Sequence, residues 1–163
     1  MSRRAIVMRE CGIYIGDTMK IQQVAIFMEN KPGHLGNTCR ILADAGVSIT
    51  TLSLADTQQY GILRLIIQNW EKAKKVLTDN GLIANITEVL AVEVEDKPGG
   101  LMRILDVVGA AGVNIEYMYA FANRFGEKAI MVFRFDEPDK AIAALQKQDV
   151  RVLTSIDLFG GKS

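Results

Sequence analysis

The chain has 163 residues, of which 49% are hydrophobic and 23% charged, with 19 basic residues balanced by 19 acidic ones. This is the composition of a soluble globular protein, and the charge balance gives no preference for nucleic acid or for an anionic membrane surface. No apolar run reaches the ~18 residues that a membrane span needs. We therefore expect neither nucleic acid nor a membrane as a partner.

Residues 1–18 lack the patterning of the rest and are interpreted as a flexible N-terminal extension. Arg9 and Glu10 interrupt the apolar run that a signal peptide would need. The two cysteines, Cys11 and Cys39, fit no metal-ligand or redox spacing. Reduced thiols are typical of a cytoplasmic protein, which is the location that we predict.

The first regular elements form a strand, a helix and a hairpin. A strand is predicted to end at Asn30, a helix to run from about Leu35 to Ala45, and Gly46 to end that helix. Alternating β-branched residues predict strands over Val47–Ala55 and Gly61–Ile67, joined by a turn.

Asn69 is a suitable N-cap for a second helix with an apolar stripe, which Asn80-Gly81 would close. Leu82–Val94 then alternates as one extended run without Gly or Pro. The fourth strand of a first unit therefore continues into the first strand of a second unit almost without a linker.

The second half repeats this order. Leu101 begins a helix with apolar residues at i, i+3, i+4 and i+7, and Gly112 ends it. Hairpin strands are predicted over Val113–Ala122 and Lys128–Phe135, a helix begins at Pro138, and a closing strand is predicted over Val150–Leu158. Residues 159–163 are interpreted as a tail.

A Pro-Gly segment occurs twice, as Asn30-Lys-Pro-Gly-His-Leu-Gly36 and as Asp96-Lys-Pro-Gly-Gly-Leu101. The step along the chain from Pro32 to Pro98 is the same as the step from Gly46 to Gly112, which indicates a duplicated unit. Such a loop before a helix can present backbone N–H groups to a carboxylate or another anion. The alternative is that Pro-Gly only ends a strand and begins a helix.

These paired motifs, each followed by Ala-Gly-Val-x-Ile, resemble the ACT domain, a small regulatory module that senses amino acids. The resemblance implies an α+β protein of two tandem ferredoxin-like βαββαβ units. Each unit would be a four-stranded antiparallel sheet with two helices on one face. The first unit would span residues 19–88, and the second would span residues 89–158.

The resemblance also implies that an amino acid binds at the interface between ACT units, where the Pro-Gly loop of one unit meets the second strand of another. The implied ligand-binding residues are Asn30, Gly33, His34, Leu35, Gly36 and Ser48 in unit 1, and Asp96, Gly99, Gly100, Leu101 and Asn114 in unit 2. In the related serine-binding phosphoglycerate dehydrogenases a His precedes the loop. Met28 and Val94 occupy that position here, so the resemblance does not predict serine.

Several of these residues have a second interpretation that the sequence leaves open. Asp96 would hold a ligand ammonium or cap its own turn, and His34 would contact the ligand or simply begin a helix. Tyr117, Tyr119 and Phe121 share one face of a strand, where they would pack across a sheet or dimer surface or stack on a ligand.

The sequence offers no catalytic constellation: it has one histidine, no Cys or His cluster for a metal and no G-x-G-x-x-G cofactor loop. We therefore predict a non-catalytic amino-acid sensor without cofactor or metal. The alternative is a structural regulatory subunit that docks on an enzyme of amino-acid biosynthesis, like the acetohydroxyacid synthase small subunit.

Two predictions concern assembly. Edge strands invite pairing, so Val47–Ala55 of unit 1 is expected to pair with Val113–Ala122 of unit 2 in a continuous sheet. Self-association as a homodimer is expected through a helix-free sheet face that carries Tyr117 and Tyr119.

Overall fold

The computed structural model describes residues 18–57, 59–121 and 128–160. Predictions for residues 1–17, for Ala122 at the end of a predicted hairpin strand and for the tail beyond residue 160 lie outside this part of the chain. The first unit contains β1 (Lys20–Glu29), α1 (His34–Asp44), β2 (Thr51–Thr57), β3 (Tyr60–Ile66) and α2 (Trp70–Asp79). The second contains α3 (Gly100–Ala110), β5 (Ile115–Ala120), β6 (Lys128–Phe135), α4 (Pro138–Lys147), β7 (Val152–Leu153) and α5 (Ser155–Phe159).

The strand β4 (Ile83–Glu95) belongs to both units. Its first half pairs with β1 and its second half with β6, and Leu90 pairs with Lys20 on one side and Phe133 on the other. The sheet order is β2-β3-β1-β4-β6-β5, and β7 pairs with β4 on the β1 side. The α+β class and the two ferredoxin-like units are therefore confirmed, and the predicted boundary between positions 88 and 89 falls inside β4.

The helices α1 to α4 cover one face of the sheet, with a separate core in each unit. The unit 1 core is centred on Leu63 and Leu65, and the unit 2 core on Phe133 and Phe135, whose rings stack with centroids 5.5 Å apart. Burial of these side chains is the main source of stability, because each fully buried large apolar side chain contributes roughly 1.5 to 3 kcal/mol.

The opposite face of the sheet, which α1 to α4 leave free and where α5 packs, curls so strongly that residues from its two ends meet. Arg64 on β3 and Tyr117 on β5 are four strands apart in the sheet order, which would separate them by about 19 Å in a flat sheet. The Arg64 guanidinium carbon nevertheless lies 4.0 Å from the centre of the Tyr117 ring. An inter-unit core fills the curl, and its buried members include Ile21, Ile66 and Phe121.

A polar cluster lies at the edge of the inter-unit core. The Gln23 side chain is fully buried, and its amide nitrogen donates to the Thr87 hydroxyl and to the Tyr117 hydroxyl, both at 2.8 Å. The Tyr119 hydroxyl donates to the Gln23 amide oxygen at 2.9 Å. Burial raises the pKa of Tyr119. The cluster thus joins β1 of unit 1 directly to β5 of unit 2.

Two predictions about strand edges are wrong. The second strands of the units do not pair with each other, because β2 and β5 lie at opposite edges of the sheet. Tyr117 and Tyr119 do not form an exposed sheet face either, because both pack into the inter-unit core. For these tyrosines, the contacts favour packing across a sheet over stacking on a ligand.

The predicted closing strand over Val150–Leu158 is also wrong. Only Val152–Leu153 of this range forms a strand, and α5 begins at Ser155 because Thr154 and Asp157 form a capping box. The Thr154 N–H donates to the Asp157 carboxylate at 2.8 Å, and the Asp157 N–H donates to the Thr154 hydroxyl at 3.3 Å.

Removing this cap tests its contribution. We expect Thr154→Ala to lower the free energy of unfolding by about 1 kcal/mol, because an N–H group at the start of the helix loses its acceptor. Urea denaturation followed by circular dichroism measures the change. Thr78→Ala is the control, because the Thr78 hydroxyl only bonds the Lys74 carbonyl of its own helix. An equal effect of both substitutions would contradict the capping role.

Candidate ligand-binding site

The loop between β1 and α1, called loop 1, is a tight turn that runs directly into a helix. The Lys31 N–H donates to the Glu29 carbonyl at 2.9 Å, and the His34 N–H to the Lys31 carbonyl at 3.3 Å. The Asn37 N–H then donates to the Gly33 carbonyl at 2.8 Å, which begins α1. Gly33 has φ +87°, a left-handed conformation that a side chain would strain.

The loop between β4 and α3, called loop 2, repeats this geometry bond for bond. The Lys97 N–H donates to the Glu95 carbonyl at 2.9 Å, the Gly100 N–H to the Lys97 carbonyl at 3.0 Å, and the Arg103 N–H to the Gly99 carbonyl at 3.1 Å. Gly99 has φ +86°. An ideal Cβ added to Gly33 or Gly99 would meet no atom within 4 Å, so both glycines face open space.

Each helix start presents N–H groups without an intrahelical acceptor. Leu35 and Gly36 in α1, and Leu101 and Met102 in α3, occupy the second and third positions of their helices, and the first turn of a helix has no carbonyl to offer them. Among the backbone hydrogen bonds of the described residues, none satisfies these four groups. The helix dipole adds a partial positive charge at the same place, so an anion is favoured there.

An ion pair flanks each loop at the same position. Lys31 pairs with Glu29 in unit 1, and Lys97 pairs with Glu95 at 2.7 Å in unit 2. These lysines hold the pKa values of Glu29 and Glu95 below the usual range. Both carboxylates therefore stay ionised at neutral pH, and each loop combines backbone donors with a negative charge.

One difference between the two loops is the position where unit 1 has His34 and unit 2 has Gly100. A Cβ added to Gly100 would lie 2.0 Å from the Glu95 carbonyl oxygen, which the chain cannot accommodate without moving. Loop 2 is therefore the more tightly closed of the two. It also borders a cleft of about 380 Å³, including space open to solvent, into which Arg103 and Lys128 extend.

The predicted site residues do not come together within one chain. Asn30 to Gly36 gather at one end of the sheet and Asp96 to Leu101 at the other, because β1 and β4 are antiparallel. Ser48 lies just before β2, level with the start of β1, and is therefore far from loop 1. Asn114 is held at the start of β5, where its N–H donates to the Asp136 carboxylate at 3.0 Å.

Sequence reasoning missed Glu29, Lys31, Glu95 and Arg103 as neighbours of the loops. The repeated Glu-x-Lys-Pro-Gly pattern was the signal that could have indicated the two ion pairs. In the described part of the chain, no group of three or more His, Cys, Asp or Glu side chains is arranged to hold a metal ion. None of the described helices is long and apolar enough to cross a membrane.

Comparison with known proteins identifies the family. No curated protein matches the chain. The crystal structure of protein BT0572 from Bacteroides thetaiotaomicron is 38% identical, with a TM-score of 0.80 over 86% of this chain and 96% of that one. The ligand-free regulatory subunit of aspartate kinase from Thermus thermophilus is 15% identical, with a TM-score of 0.58 over 82% of this chain and 95% of that one, which shows a shared fold. The family profile named ACT domain pair matches residues 19–159, and the chain belongs to this family.

Proposed function

We propose that this protein is a non-catalytic sensor that binds a free amino acid at its Pro-Gly loops. The observation that carries the proposal is the duplicated loop, in which a left-handed glycine opens onto two N–H groups at a helix start. These donors suit the ligand carboxylate, and an oxygen-bearing side chain beside the loop suits the ligand ammonium. The proposed ligand-binding residues are those predicted from the sequence, in both units.

A second copy of the chain completes each site in this proposal. β2 runs parallel to β1, so its end lies beside loop 1 and its beginning, next to Ser48, lies at the far end. If β2 pairs antiparallel with β2 of another copy, the other copy's Ser48 arrives beside loop 1. Pairing through β5 would bring Asn114 to loop 2 in the same way. A homodimer formed by edge pairing therefore supplies the second strand that the site requires.

A thermal-shift screen of the purified protein against the common amino acids tests binding. An amino acid that binds only the native state raises stability by RT ln(1 + [L]/Kd). The absence of any shift at millimolar amino acid would contradict the sensor function.

Substitution of the loop glycines tests the site. We expect Gly33→Val and Gly99→Val each to abolish binding at its own loop, because the new side chain occupies the space in front of the helix start. The strained backbone should cost only ~1 to 3 kcal/mol of folding. Gly99→Val should weaken binding more, since Asp96 replaces Asn30 there and its charge favours the ligand ammonium. Calorimetric titration measures both affinities.

Gly81→Val is the matched control for Gly99→Val. Gly81 also has a left-handed backbone, with φ +79°, but it follows the end of α2 and lies at the loop 1 end of the sheet, away from loop 2. It should cost similar stability and leave the affinity of loop 2 unchanged. Unchanged affinity in the loop variants as well would mean that the Pro-Gly segments are only turns.

A structural subunit that docks on an enzyme is the second candidate. The likeness to the regulatory subunit of aspartate kinase supports it only at the level of the fold. The two candidates differ in the thermal-shift screen, because a purely structural subunit gives no response to any amino acid. An enzyme of amino-acid metabolism as a partner is compatible with both.

A further inference from the structure

A group of exposed apolar side chains lies on the helix-free face of unit 1, at the end near loop 1. Phe27 on β1 is 50% exposed, Ile83 on β4 is 67% exposed and Tyr60 on β3 is 59% exposed. Phe27 is the direct cross-strand partner of Ile83 and of the half-buried Ile62. These four side chains form one continuous surface, which we call the unit 1 patch.

The internal repeat shows that the fold does not need an apolar surface here. The strand registers place Glu93, Lys128 and Arg151 of the second unit at the positions of Phe27, Tyr60 and Ile83. Lys128 and Arg151 both pair with Glu93, whose carboxylate lies 3.0 Å from the nitrogen of each. The same backbone therefore carries an ion-pair group in one unit and exposed hydrocarbon in the other.

The rest of the unit 1 face indicates what covers the patch. Further along the same strands, Ile21 and Ile66 are buried in the inter-unit core, which they share with side chains from β5, β6, β7 and α5 of unit 2. Ala25, between Ile21 and Phe27 on the same face, is also buried. The patch is thus the uncovered continuation of an interface between two ACT units. Unit 2 of the same chain already covers the other part of this face, so it does not cover the patch.

We propose that the unit 1 patch packs against the same patch of a second copy of this chain, sheet face to sheet face about a two-fold axis. The four patch side chains carry no charge, and the chain as a whole has equal numbers of acidic and basic residues, so two copies do not repel each other. Their exposed area is on the order of 300 Å², which suits the apolar centre of an interface rather than its whole extent of about 800 Å² per partner. This contact is separate from edge pairing through β2, and both together would give a tetramer.

Grafting the ion-pair group of unit 2 onto unit 1 tests the proposal. We expect Phe27→Glu, Tyr60→Lys and Ile83→Arg together to halve the mass of the assembly in light scattering, with circular dichroism unchanged, because the second unit shows that these positions accept the charged side chains. Ile83→Arg alone, at the most exposed position, serves if the triple variant fails to fold. Ala143→Glu, at an exposed residue on α4, is the control and should leave the mass unchanged.

A cross-link distinguishes self-packing from the docking of another protein. With Cys11 and Cys39 replaced by serine, Phe27→Cys should form a disulfide-linked dimer on oxidation, whereas Met102→Cys should not. A wild-type mass that the graft does not change, or a monomeric wild type at high micromolar concentration, would overturn the proposal. If edge pairing through β2 is the only contact between copies, Leu54→Lys on β2 should abolish assembly and the graft should have no effect. That result would also overturn the proposal.

Discussion

Phe133→Ala, in the core of unit 2, is expected to lower the free energy of unfolding by about 3 to 5 kcal/mol and to shift the unfolding of unit 1 by the same amount. Phe133 is fully buried and stacks on Phe135. Its effect should reach unit 1 because β4 is part of both sheets and the helix-free faces of the two units share a core. The two units should therefore unfold in one cooperative transition.

The single tryptophan makes the coupling between the unfolding of the two units measurable. Trp70 packs against the unit 1 core, so its fluorescence reports on unit 1, while far-ultraviolet circular dichroism reports on the whole chain. In urea, the two signals should coincide in the wild type, in Phe133→Ala and in the unit 1 variant Leu63→Ala. Met102→Ala, at an exposed residue, should change little. In Phe133→Ala, the Trp70 transition could stay at the wild-type urea concentration while the circular dichroism curve splits into two steps. That result would show that the units unfold independently.

Gln23→Leu is expected to cost about 2 to 4 kcal/mol, although leucine is similar in volume and more apolar, because it removes the partner of three hydroxyls in a buried region. These hydroxyls belong to Tyr117, Tyr119 and Thr87, and each unsatisfied buried group costs ~1 to 3 kcal/mol. Denaturant unfolding measures the change. Gln22→Leu is the control, because the neighbouring side chain is only half-buried and lies on the other face of β1.

A double-mutant cycle with Tyr119→Phe isolates the contact between the units. Removal of the Tyr119 hydroxyl should reduce the cost of Gln23→Leu, with a coupling energy of about 0.5 to 3 kcal/mol. Denaturant unfolding of the four proteins gives this energy. Additive effects would mean that the hydrogen bond between Gln23 and Tyr119 does not contribute to the packing of the two units.

Local signals predicted most of the fold. The internal repeat indicated two equal units, Asn69 capped α2 through the Lys72 N–H as expected, and Gly46 ended α1 with a left-handed backbone. The continuous alternation after Leu82 predicted the long strand β4. Each of these features depends on a few neighbouring residues and on periodicity, which one sequence contains in full.

The failures concern contacts between distant segments. Which edge of a sheet stays uncovered depends on how the units are joined, and sharing β4 sends β2 and β5 to opposite sides. The aromatic face of β5 is equally compatible with a dimer surface and with an internal one, and only the curl of the sheet decides between them. The closing strand is a local failure, since the prediction took no account of the Thr154 to Asp157 capping box.

Part of the candidate site could likewise be predicted from local residues, and part of it could not. The conformations of the Pro-Gly loops follow from their own residues, and the structure has the left-handed glycines and the open helix starts that such a turn requires. The proposed roles of Ser48 and Asn114 rest on a second copy, because neither residue lies near the loop of its own unit. In this proposal, a quaternary contact brings the second strand to the loop.

Sharing of β4 has a consequence for anyone who wishes to separate the two halves. No single cut leaves both with a complete sheet, because positions 83–90 complete the sheet of unit 1 and positions 90–95 supply a central strand to unit 2. Independent halves would have to be expressed as overlapping fragments, each with its own copy of Ile83–Glu95.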